Sequence, residues 1–178
     1  MFVAEVRQLL ERVRSLLTTC DPATVTGPVA VELVRLFVDL ERAGAAGKAL
    51  FARRVEESGT YAGTGHRDAG DWLSDVAGEP RGHARAVLHT ARHLEDLPEV
   101  REAFIEGTLS GSQVAEIADA GAVAPSAIPA LLETARSGSF ASLRREAERA
   151  RWTTLGQDDA ASRDVTGPRL MVHALCEL

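Results

Sequence analysis

Apolar residues in this chain recur every three to four positions, segment after segment, and nowhere alternate long enough to make a strand. Only the α-helix puts such positions on one side, so the spacing predicts an all-α fold. Phe2, Val3, Val6, Leu9, Leu10, Val13, Leu16 and Leu17 set the first helix, over residues 2 to about 18. Asp21, Pro22, Gly27 and Pro28 break it, and Pro28 suits the first turn of the next helix. That second helix runs to about Glu57 through Leu33, Val34, Phe37, Leu40, Ala45, Leu50 and Phe51. It would be roughly 45 Å long. Gly44 and Gly47 lie within it, a natural place for a bend or a close helix crossing.

Further along, Ser58–His66 reads as a glycine-rich loop. A short helix follows around Ala69–Val76 and holds Trp72 and Leu73. Gly78, Glu79 and Pro80 make a tight break, and the next helix runs from Arg81 to about Asp96. Pro98 opens another short helix, Glu99–Glu106, which Gly107 ends. Ser110 is placed to cap the following helix, Ser126 one that reaches Arg136, and Ser139 one that reaches about Arg151. Residues 1–155 thus form one multi-helix domain. Residues 156–178 read as a polar, loop-like stretch and then Leu170–Leu178, a short helix or a frayed end.

Composition narrows the function classes. The 178 residues are 45% apolar and 26% charged, ordinary for a globular domain with a real core. Glu5, Arg7, Glu11, Arg12 and Arg14 interrupt the N-terminal apolar residues, which excludes a signal peptide. No run approaches the ~20 apolar residues of a membrane span. Cys20 and Cys176 are too few for a disulfide framework or a zinc site, and read as reduced thiols in a cytoplasmic protein.

The net charge of −6 conceals a pattern. Residues 81–93 hold Arg81, Arg85 and Arg92 and no acid. Residues 136–151 hold five arginines, Arg144 and Arg145 among them, against Glu146 and Glu148. Between these two basic helices, residues 94–135 hold Arg101 against eight acids. Arg81, Arg85, His89 and Arg92 follow i, i+4, i+8, i+11, which puts them on one face opposite Ala84, Val87, Leu88 and Ala91. Such a stripe suits DNA phosphates or base edges. The competing reading is a solvated face paired with the acids of residues 95–106. The acidic total also argues against strong unaided nucleic-acid binding.

Other constellations carry less. His89 and His93 have metal-ligand spacing, with Asp96 a turn on, but Thr90 follows His89 where a zinc peptidase needs glutamate. Gly63-Thr64-Gly65 lacks the Gly-Lys-Ser/Thr of a phosphate loop and is read as a turn. Trp72 and Leu73 are read as core anchors. Asp68, Asp71 and Asp75 line a helix start and fit its dipole. Ser110 or Ser112 with His173 or His89 lacks any nucleophile-elbow pattern. The chain is therefore read as non-enzymatic, without catalytic residue, metal or cofactor.

One run of short segments is more specific in its order than in any piece. It comprises Gly65 to Trp72-Leu73, Ala84 to Leu94, Leu97-Pro98, Ala103, Gly107-Thr108-Leu109-Ser110, Gln113-Val114 and Ile117-Ala118. Leu131 to Arg151, with Ser142-Leu143-Arg144, continues it. The run resembles the actinobacterial domain of unknown function 222, also called the 13E12 repeat family, over about residues 1 to 155. The resemblance implies an α-helical module that commonly sits N-terminal to an HNH nuclease, and an association with DNA. It assigns no catalytic residue to the helical module. This chain contains no asparagine, so a His-Asn-His set cannot be completed within it. It is read as either a fragment or a free-standing copy, without nuclease chemistry. The expectation is a helical accessory module of an HNH-endonuclease-type protein. It would touch DNA through Arg81, Arg85, His89, Arg92, Arg144 and Arg145, with an HNH nuclease domain in cis or in trans. The alternative is a structural or oligomerisation module, a homodimer through its helices, because Ala43-Gly44-Ala45-Ala46-Gly47 permits close helix approach.

Overall fold

A computed structural model describes residues 1–164, with side chains through residue 154. Among the described residues there are eight α-helices and no strand, so the fold is all-α. They are α1 (Phe2–Thr19), α2 (Gly27–Ser58), α3 (Ala69–Ala77), α4 (Arg81–His93), α5 (Pro98–Ile105), α6 (Gly111–Gly121), α7 (Ile128–Ser137) and α8 (Phe140–Asp164). None is long and apolar enough to cross a membrane.

The chain divides into two compact units, Met1–Glu41 and the remainder from Arg42 onward. The first unit holds α1, a 3₁₀ turn at Pro22–Thr24 and the first part of α2. Asp21 caps the turn by accepting from the Ala23 N–H at 3.0 Å. Cys20, in the link between the helices, is exposed and free.

The second unit is organised around α6, which packs against α4, α5, α7 and α8. Its main core joins Ala46 and Ala49 of α2, Ala91 of α4, Val100, Ala103 and Phe104 of α5, and Val114, Ile117 and Ala120 of α6. Leu131, Leu132 and Ala135 of α7 and Leu143 and Ala147 of α8 close it. Alanines at the crossings, among them Ala46, Ala49, Ala91, Ala103 and Ala120, suit close helix packing. A smaller cluster unites Ala52, Ala69, Leu73, Ala84 and Leu88, with Trp72 half-buried against it.

Local chemistry fixes the helix ends. Gly78 and Gly107 end α3 and α5 in the left-handed region, at φ of 65° and 74°, where a Cβ is unfavourable. Ser110 and Gln113 form a reciprocal capping box at the start of α6. The Gln113 amide also donates to the Ala135 carbonyl at 2.8 Å, which ties α6 to the end of α7. Ser139 accepts from the Ser142 N–H at 3.2 Å where α8 begins.

Four expectations need correction. The helix from Arg81 ends at His93, and residues to Asp96 form a turn. Ser126 caps nothing: it lies in the 3₁₀ turn Pro125–Ala127, and α7 starts behind Ala127 without a side-chain cap. Residues 156–164 are helical, because α8 carries straight through a stretch whose polarity suggests a loop. Gly44 and Gly47 make no close crossing, since a Cβ at either would meet nothing within 4 Å. Residues 165–178, with His173 and Cys176, lie outside the described residues.

Leu143 is fully buried between α6 and α7 partners of the main core. Leu143→Ala should lower the unfolding free energy by about 2–5 kcal/mol. Urea unfolding followed by circular dichroism measures it, and an unchanged midpoint would remove Leu143 from the core.

Candidate nucleic-acid interface

Burial of Ala84, Leu88 and Ala91 turns the opposite side of α4 outward, so Arg81, Arg85, His89 and Arg92 do share a face. That face is not free. Arg81 Nε lies 3.1 Å from Asp71 Oδ1, and Arg85 Nη2 lies 3.1 Å from Asp68 Oδ2 and 3.9 Å from Asp71 Oδ1. His89 Nδ1 lies 3.3 Å from Asp119 Oδ1. Arg92 grips Glu56 with two nitrogens, its Nε donating to Oε2 at 2.9 Å.

The carboxylates come from α2, α3 and α6. The acidic segment 95–106, expected to neutralise the stripe, contributes only at one remove. Glu95 accepts from Arg53 Nε at 2.7 Å, and Arg53 also reaches Glu56 and Glu57. A groove of about 580 Å³ runs beside the stripe, lined by Arg85, His89 and Arg92 and by Glu56, Asp68 and Asp119. Its charges alternate in sign, so it offers a phosphate no uniformly positive surface.

Electrostatics follow from these contacts. The Arg92 hydrogen bond holds the Glu56 carboxyl below its ordinary value, against the desolvation that opposes it. Glu56 in turn raises Arg92. The Asp71 N–H, donating at 2.7 Å, lowers Asp68, and Arg85 adds to the effect. Asp71 is only 5% exposed; its Oδ2 accepts from Arg67 at 3.3 Å, while Oδ1 faces Arg81 without hydrogen-bond alignment. A Cβ on Gly70 would stand 2.8 Å from Arg85 Cγ, so a larger residue there would displace the Arg85 side chain. The Arg85 stem therefore lies directly over the start of α3.

The remaining constellations resolve into structural roles. His89 and His93 meet edge to face, with Nε2 atoms 3.2 Å apart. No group of three His, Cys, Asp or Glu side chains able to hold a metal stands among the described residues. Asp75 pairs with His66 at 3.0 Å, and Asp68 is the cap of α3. Ser110 Oγ accepts the Gln113 N–H, which commits it to the helix start. Gly63 and Thr64 lie in a 3₁₀ turn closed by Gly65 at φ 85°.

The second basic helix differs. Arg144 stands 3.5 Å from Glu148, and Arg151 binds Glu116 at 2.8 Å. Arg145 touches only Ser142 Oγ, at 3.5 Å, and neither Arg145 nor Arg149 meets a carboxylate among the described residues. Both are exposed, and Trp152, 75% exposed, follows them on the same side at i, i+4, i+7. Sequence reasoning named Arg144 and Arg145 but missed Arg149 and Trp152 as members of this line. The signal was present in the spacing Arg145, Arg149, Trp152.

Comparison with protein-family models, with curated proteins and with solved structures finds no match to this chain.

Because Glu56 is depressed in the folded state, its contribution to stability is complete above its ordinary value of 4.5. It is lost as pH falls through the lower, folded value. Between about pH 5 and pH 3 the melting temperature of the wild type should therefore fall more steeply than that of Glu56→Gln. Parallel slopes in thermal melts across this range would show that the Arg92 contact stabilises nothing.

Proposed function

We propose that this chain is a non-catalytic helical accessory module that contacts DNA through α8. The observation that carries the reading is the exposed line Arg145, Arg149 and Trp152, two arginines without a carboxylate partner among the described residues, beside an exposed indole. Guanidinium groups suit phosphate oxygens, and an exposed aromatic ring suits an unstacked base. Arg144, beside the line, is partly neutralised by Glu148. On α4, by contrast, Arg81, Arg85, His89 and Arg92 already have carboxylate partners, so their role in this reading is to hold α2, α3 and α6 around α4.

The resemblance to the domain of unknown function 222 supports the wider setting. In this proposal the module positions or regulates an HNH nuclease domain, present in cis or in trans. With a net charge of −6, the chain by itself binds weakly, and the nuclease partner supplies most of the phosphate contact.

Titration of labelled DNA at several salt concentrations tests the reading. Arg145→Ala/Arg149→Ala should weaken binding about tenfold at low salt and reduce the salt slope by about two. Arg81→Ala/Arg85→Ala/Arg92→Ala should lower the melting temperature and leave binding of the folded fraction within about twofold. Equal binding by wild type and the α8 variant, or no binding at low salt, overturns the proposal.

A further inference from the structure

The first unit, Met1–Glu41, has no buried side chain at all. Fifteen of the twenty-one exposed large apolar side chains among the described residues belong to it, including Phe2 at 75%, Leu16 at 64% and Val34 at 62%. Two helices that bury nothing do not hold together by themselves, and units near 40 residues normally fold with outside help.

The pattern of the apolar positions says what kind of help. Phe2, Val6, Leu9, Val13 and Leu16 are spaced alternately by four and three, the seam of a helical bundle. Ala30, Leu33, Phe37 and Leu40 continue such a seam in α2. Val3, Leu10 and Leu17 widen the first seam on one flank, and Val34 widens the second. A stripe of that width needs more than one neighbouring helix, so each arm cannot satisfy the other alone. Two arms from each of two copies make four helices, the common closed solution. At about half exposure, fifteen such side chains present on the order of 1,000 Å² of apolar surface. That exceeds the ~800 Å² per partner of a standard stable interface.

Charge suits a second copy as the occupant. α1 carries Arg7, Arg12 and Arg14 against Glu5 and Glu11, a net +1. The first part of α2, up to Glu41, carries Glu32, Asp39 and Glu41 against Arg35, a net −2. Arms of opposite sign complement one another under a two-fold axis, where α1 of each copy faces α2 of the other. The Ala43–Gly47 stretch, suggested by sequence as the contact, is not available, because Ala46 lies in the main core of its own unit.

We infer that two copies of this chain associate through the apolar faces of α1 and the first part of α2, each α1 lying against α2 of the partner copy. Analytical ultracentrifugation of the full chain from about 1 to about 200 μM tests it. The wild type should reach the dimer mass within this range. Leu9→Glu/Leu16→Glu alters only exposed positions, so it should stay monomeric while the thermal melt of the second unit persists. Arg7→Glu/Arg12→Glu/Arg14→Glu and Glu32→Arg/Glu41→Arg should each self-associate about tenfold more weakly, and their mixture should recover a heterodimer. A wild type that is monomeric throughout, or a dimer indifferent to the two glutamates, overturns the inference. A mixture no tighter than either charge variant alone overturns the arm-on-arm pairing.

Discussion

The second unit depends on how α4 is held on its two sides. One side is alanine and leucine, small enough to seat the helix against α3 and α6 at close range. The other side is basic, and α2, α3 and α6 each bring a carboxylate to it. Most of these pairs are half-exposed, which limits each to a fraction of a kcal/mol up to ~1 kcal/mol. Glu56 and Asp71 are the exceptions, at 18% and 5% side-chain exposure. For them the larger effect is negative: without the arginine, a charge would be left with little solvent.

This arrangement separates two kinds of basic helix that look alike in composition. On α4 Arg81, Arg85 and Arg92 each face a carboxylate of a neighbouring element. On α8 Arg151 faces Glu116 in the same way, while Arg145 and Arg149 are exposed beside Trp152. A count of arginines per segment cannot make this distinction. Only the position of neighbouring carboxylates does, and that is a property of packing.

Helix positions were legible in the sequence because the apolar face of each, buried or not, repeats with the period of the helix that carries it. Ser110 was legible as a cap because its chemistry is satisfied within three residues. The face shared by Arg81, Arg85, His89 and Arg92 was legible for the same local reason. Its partners were not. Glu56 lies 36 residues before Arg92 and Asp119 lies thirty after His89, so no spacing rule connects them. The acids at 95–106 were nearer in sequence, but the carboxylates that meet Arg81, Arg85, His89 and Arg92 are Asp71, Asp68, Asp119 and Glu56. Residues 156–164 misled for another reason: polarity argues against burial, not against a helix, and the backbone of α8 continues through them.

Arginine-selective covalent footprinting of the folded chain, with and without duplex DNA at low salt, tests the central claim most directly. Arg145 and Arg149 should react readily in the free protein and be shielded by DNA. Arg85 and Arg92 should react slowly in both states, held by Asp68 and Glu56. Shielding of Arg81, Arg85 and Arg92 by DNA, with Arg145 and Arg149 unchanged, would contradict the proposal that α8 rather than α4 meets the nucleic acid.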